Sequence, residues 1–129
     1  MKIPYFKMEH AQSQWENVVD YNLSASGVDA LSFDELVSQE EFNEIVKTKL
    51  GYLQTDGTSQ LKEKICDIYP GAREKNVLVT TGLAEANYLL TWSTVEPGEE
   101  AVFMLPNYMQ IAELMRSFGA NVKTFPGRN

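Results

Sequence analysis

The sequence predicts an α/β fold, a mainly parallel sheet with flanking helices, preceded by an irregular and partly helical N-terminal segment. Three observations predict it. From residue 76 onward, short apolar runs alternate with longer stretches of helical period, the pattern of βαβ units. Turn residues mark each change of period, at Thr81-Gly82, Pro97-Gly98 and Gly119. Finally, Val77-Leu-Val-Thr-Thr-Gly-Leu-Ala-Glu-Ala-Asn87 carries a strand straight into a helix through a small-residue turn. Such a turn points several backbone N–H groups at one spot, at the positive end of a helix dipole, and so favours an anion such as a phosphate.

Taken in chain order, the first thirty residues show no sustained period, although they carry Tyr5, Phe6, Trp15 and Tyr21. Trp15–Leu23 reads as a short helix followed by an extended piece, and Ser24–Asp29 as a loop. Ser32-Phe-Asp-Glu35 has the form of a capping box, and the apolar spacing that follows predicts a helix or helix pair over 33–48. Gly51 and Gly57 interrupt it. Thr58 is the expected N-cap of the next helix, with Leu61, Ile65 and Ile68 on one face and Pro70-Gly71 as its stop. Asn76–Thr81 is then predicted as a strand and Leu83–Val95 as a helix. The remaining elements are a strand over Ala101–Leu105, a helix over Asn107–Phe118 and a strand over Asn121–Phe125. The Leu83–Val95 helix is apolar on most sides and expects neighbours on more than one of them.

Composition narrows the function classes. The 129 residues suit one domain with a modest core, and 43% hydrophobic with 22% charged residues is a globular mixture. A net charge of -7 argues against nucleic acid and against an anionic membrane surface as partners. No apolar run approaches the roughly 18 residues a bilayer span requires. Met1–His10 lacks the pattern of a signal peptide, and Cys66 has no local partner for a disulfide or a metal, so a cytoplasmic protein is expected. His10 reads as a solvated residue, and Asp34, Glu35, Glu40, Glu41 and Glu44 as a solvated helix surface.

The phosphate motifs can be tested directly. The sequence has no G-x-x-x-x-G-K-[ST], which excludes a P-loop, and no G-x-G-x-x-G at the turn, which disfavours a dinucleotide. What it does have is a one-glycine turn and a second strand-to-helix junction at Pro106-Asn-Tyr108. Both lie at the C-terminal ends of their strands, where open α/β sheets hold ligands.

Four segments, in order, then resemble the class I/II aminotransferases, the fold type I enzymes that use pyridoxal 5′-phosphate (PLP). Gly51-Tyr-x4-Gly57-x3-Leu61-Lys62 is similar to the family's Tyr…Gly…Leu-Arg segment, with Lys62 in place of the usual Arg. Val77–Ala86 resembles the phosphate turn, Glu96–Phe103 the Pro-Gly-Asp/Glu turn into the next strand, and Pro106-Asn-Tyr108 the Pro-x-aromatic that follows. The match runs from about Gly51 to Pro126, with a weaker one over Asn22–Leu36.

The resemblance implies roles. Gly82, Leu83 and Ala84 would offer backbone N–H groups to the PLP phosphate, and Tyr108 would stack on the pyridine ring. Tyr52 would reach the phosphate of a neighbouring subunit's cofactor, implying a homodimer, and Ser26-Gly27 would meet the substrate carboxylate. Residues 1–48 would form an N-terminal arm and helical segment, the small-domain and substrate-loop part, and 49–129 the first part of the PLP-binding large domain. The substrates would be an amino acid and a 2-oxo acid.

Catalysis with PLP needs a Schiff-base lysine and a carboxylate for the pyridinium proton. By resemblance these come later than residue 129, and lysines 2, 7, 47, 49, 62, 64, 75 and 123 match none of the family's positions. With Pro126-Gly-Arg-Asn129 directly after a strand, the expectation is the N-terminal portion of a longer enzyme, inactive alone, rather than a complete three-stranded domain. By the same resemblance, the Asn76–Thr81 strand would lie apart from the other two. Other readings of the same pattern are a related PLP decarboxylase, lyase or cyclase, a non-catalytic binding or dimerisation module that keeps the phosphate turn, and an unrelated α/β phosphate-binding domain. No metal site is expected.

Overall fold

The computed structural model describes residues 3–127, so Met1, Lys2, Arg128 and Asn129 lie outside the described residues. Its centre is one βαβ unit. Strand β1 (Glu100–Leu105) runs through helix α6 (Gln110–Ser117) into β2 (Asn121–Pro126), and the strands pair in parallel from Glu100↔Asn121 to Leu105↔Pro126. The period of two decides the faces. Phe103 is buried on the side of the helices, while Val102 and Met104 are exposed on the other. Helix α6 presses Ala112 and Leu114 into this core, joined by Ala120.

Helix α5 (Leu83–Thr94) packs beside α6, with Tyr88 against Phe118 at a ring-centroid separation of 5.9 Å. It buries polar residues and exposes apolar ones. Asn87 and Thr91 are 7% and 2% exposed, whereas Leu90 and Trp92 are 60% and 64% exposed. Of the expected neighbours on more than one side, α6 is the main one among the described residues. The chain exposes 11175 Å² in total, against roughly 6,900 Å² for a compact monomer of this mass. Many large apolar side chains are among the exposed ones, a surface of the kind that other protein covers.

The helix predicted over 33–48 is a pair, α2 (Phe33–Leu36) and α3 (Gln39–Ile45). Each starts at a serine. Glu35 Oε2 accepts from the Ser32 N–H at 2.8 Å, and a second capping box follows at Ser38, whose Oγ accepts from the Glu41 N–H at 3.2 Å. Thr58 caps α4 (Ser59–Ile68) as expected, with Oγ1 accepting from the Leu61 N–H at 3.3 Å. Of that helix only Lys62 is buried, while Leu61 and Ile68 stay exposed.

Two expectations are corrected. Asn76–Thr81 is not a strand: a 3-10 turn covers Glu74–Asn76, and the residues after it form no ladder. A sequence suited to a strand needs a partner strand to become one, and here the Val79 N–H donates instead to the Asp56 carbonyl at 3.1 Å. The helix near Trp15 lies earlier than expected, as α1 (Lys7–Trp15). Its hold is tertiary, through residues near its start that reach Tyr108. No helix among the described residues is long and apolar enough to cross a membrane.

Candidate functional site

The turn into α5 has the geometry of an anion cup. Gly82 precedes the helix with φ 82 and ψ 169, a region essentially restricted to glycine. A Cβ on it would meet nothing within 4 Å, and Gly82, Leu83 and Ala84 are all exposed. The N–H groups of Leu83, Ala84 and Glu85 find no acceptor among the described residues, as a helix start dictates. Thr81 is closed from below, because its N–H donates to Glu85 Oε2 at 2.5 Å. That carboxylate fixes the turn and leaves the next N–H groups open to solvent. The residues present therefore suit one small anion such as a phosphate monoester.

The second junction lies beside the first. Gln110, at the start of α6, donates from Nε2 to the Ala84 carbonyl at 3.3 Å and accepts at Oε1 from Asn87 Nδ2 at 2.9 Å. Two residues before Gln110 stands Tyr108, so this one side chain ties the anion turn to the aromatic. Sequence reading missed both Gln110 and Asn87. The only signal was a polar residue inside an otherwise apolar helix, and its partner was 23 residues away.

Tyr108 is itself held from the N-terminal segment. Its hydroxyl donates to Glu9 Oε1 at 2.8 Å, and the Phe6 ring meets it edge-on at 5.2 Å. The hydrogen bond to the Glu9 carboxylate, with burial and its negative charge adding to the effect, raises the tyrosine above its ordinary 10.0. Ser26 lines the same cleft of about 540 Å³ as Tyr108, Pro106 and Glu9. Gly27 does not line it. The 24–26 loop is drawn there by Gln12 Nε2, which donates to the Ser24 carbonyl at 3.1 Å.

Tyr52 is fully exposed and is not brought to the turn within this chain, although the segment after it is. Leu53, Gly57, Thr80 and Thr81 share a cleft of about 260 Å³. Lys62, where the resemblance has Arg, bonds Asp56 Oδ2 at 2.8 Å with its side chain 11% exposed. Through this pair it holds the Asp56-Gly57 turn, whose Asp56 carbonyl accepts from the Val79 N–H. Among the described residues no group of His, Cys, Asp and Glu could hold a metal ion.

Two predictions arise from these ties. Gln110→Ala leaves the buried Asn87 amide without its acceptor, a loss of about 1–3 kcal/mol. It is read as a drop of several degrees in Tm; an unchanged Tm would show that the tie is idle. The second concerns pH. The hydrogen bond from Lys62, and then its positive charge, lowers the Asp56 carboxyl below its ordinary 3.8. A depressed carboxyl contributes stability that is complete above 3.8 and lost as pH falls through the lower folded value. Asp56→Asn is thus expected to lower Tm at neutral pH, with variant and parent converging well below pH 3.8. A constant gap at all pH values would contradict it.

A family model described as aminotransferase class I and II matches residues 20–129. Among solved structures, the chain is similar to a PLP-dependent aminotransferase from Streptococcus suis, at 28% identity and a TM-score of 0.88, over 98% of this chain and 35% of that one. LysN, an alpha-aminoadipate aminotransferase from Thermus thermophilus, is 29% identical with a TM-score of 0.58, over 71% of this chain and 25% of that one. The PLP-dependent cyclase OrfR, 23% identical with a TM-score of 0.80 over 93% of this chain and 32% of that one, shares the fold. The chain thus spans about a third of the Streptococcus suis structure. No curated protein matches it by sequence.

Proposed function

The chain belongs to the class I and II aminotransferases, and we propose that it supplies the phosphate-binding and ring-stacking part of a PLP site in an enzyme moving an amino group between an amino acid and a 2-oxo acid. The observation that carries this reading is the pair of bonds from Gln110 to Ala84 and Asn87, which ties an open anion turn to an aromatic junction. In this reading the N–H groups of Leu83 and Ala84 hold the phosphate, and Gly82 sets their direction. Tyr108 lies against the pyridine ring, its own plane fixed by Phe6 and Glu9. Ser26-Gly27 meets the substrate carboxylate, supported by the place of Ser26 in the Tyr108 cleft. Tyr52, free on its own chain, reaches the phosphate of a second subunit in a homodimer. The lone Cys66 accords with a cytoplasmic setting.

Bound PLP supplies the electron sink for amino-group transfer. This chain's residues bind and orient it, and none of its lysines reacts with it. Lys62, the one buried lysine among the described residues, is committed to Asp56. The test is PLP titration followed by borohydride reduction and peptide mapping. Expected is saturable binding, competed by inorganic phosphate, with no reduced PLP on lysines 2, 7, 47, 49, 62, 64, 75 or 123. Stoichiometric labelling of any of these would overturn the assignment, and absence of saturable binding would overturn the function.

A further inference from the structure

We propose that the cleft between α1 and the Pro106–Tyr108 junction receives the substrate's side chain, and that Glu9 selects amino acids whose side chain ends in a cation, an amine or a guanidinium. This deepens the aminotransferase reading and rests on it. The cleft encloses about 540 Å³, within the range of small-ligand pockets. It is lined by Tyr108, by Met8, Glu9 and Gln12 of α1, and by Ser24 and Ser26. Ser26 would meet the substrate carboxylate and Tyr108 the cofactor ring, so a substrate held by both has its side chain directed along α1.

Among the described residues, Glu9 is the only charged one lining this cleft. It is half-buried, and its Oε1 accepts from the Tyr108 hydroxyl. Its Oε2 has no partner among the described residues, and no Lys, Arg or His there pairs with it. A partly desolvated carboxylate with a free oxygen favours a cation and repels an anion. The remaining lining is apolar or neutral: Met8 suits the methylenes of a lysine- or ornithine-like chain, and Gln12 is tied to the Ser24 carbonyl. An acidic side chain in this place would meet Glu9 with no compensating base.

The test uses the PLP-loaded protein and its Glu9→Gln variant, which keeps an acceptor for Tyr108 and removes the charge. Binding of cadaverine, ornithine, lysine, norleucine and glutamate is followed by calorimetry. Expected is that Glu9→Gln weakens the binding of cadaverine, ornithine and lysine by roughly ten- to hundred-fold. Norleucine should be little changed and glutamate improved. If the parent prefers norleucine or glutamate, or if the variant loses all four substrates equally, Glu9 only orients Tyr108 and the proposal fails while the aminotransferase function stands. If the protein binds no PLP, both fail together.

Discussion

Gly82→Ala is expected to weaken PLP binding by roughly ten- to hundred-fold, because a side chain at this backbone conformation costs about 1–3 kcal/mol. The cause is conformational rather than steric. A Cβ at Gly82 would meet nothing within 4 Å, yet φ 82 with ψ 169 belongs almost wholly to glycine. Relaxing it swings the plane between Gly82 and Leu83, and with it the first open N–H of the helix. The damage should follow the phosphate. Pyridoxal, which lacks that group, should bind parent and variant alike, while PLP and inorganic phosphate should both bind the variant less tightly. Equal loss for pyridoxal and PLP in an equilibrium titration would mean that the turn shapes the site without holding the phosphate.

Gly57→Ala should have the largest effect on stability. A Cβ there would stand 2.4 Å from Val79 Cγ2 and 2.7 Å from Val79 Cβ, and φ is +99. Overpacking costs about 1–3 kcal/mol and the backbone strain a similar amount, so about 2–6 kcal/mol is expected. That is much of what an ordinary domain has in reserve. The contact it breaks is the seat of the phosphate turn. Asp56 accepts from the Val79 N–H and pairs with Lys62, so one small turn carries the approach to Thr81-Gly82. Denaturant unfolding reads the loss. Adding Val79→Ala should recover the overpacking part and leave the strain; a double variant no more stable than Gly57→Ala would contradict the packing argument.

Much of this fold is legible in the sequence because its signals are local. The strands at 100–105 and 121–126 and helix α5 follow from apolar period and turn residues, and the Thr58 and Ser32 caps follow from residue type. The Asn76–Thr81 expectation fails for a physical reason: β propensity describes fitness for a ladder, and a ladder needs a second strand. Helix α1 escapes the periodic pattern because its hold comes from Glu9 and Phe6 on Tyr108.

The site divides in the same way. The Gly82 turn and Tyr108 are local motifs and can be found by eye. Gln110, Asn87 and Glu9 cannot, since each acts through a partner 23, 26 or 99 residues away. The role of Lys62 was hidden for the opposite reason. It sits where the family has Arg, but its burial and its tie to Asp56 give it a structural task.

The central claim is that the start of α5 holds the phosphate of PLP while Tyr108 meets its ring. Amide-resolved NMR of the protein titrated with PLP, or a crystal structure of the complex, tests it most directly. The account predicts that the Leu83 and Ala84 amides shift with PLP and with inorganic phosphate, whereas the Tyr108 ring responds to PLP and to pyridoxal. A phosphate seated elsewhere, with the Leu83 and Ala84 amides unmoved at saturation, would contradict it.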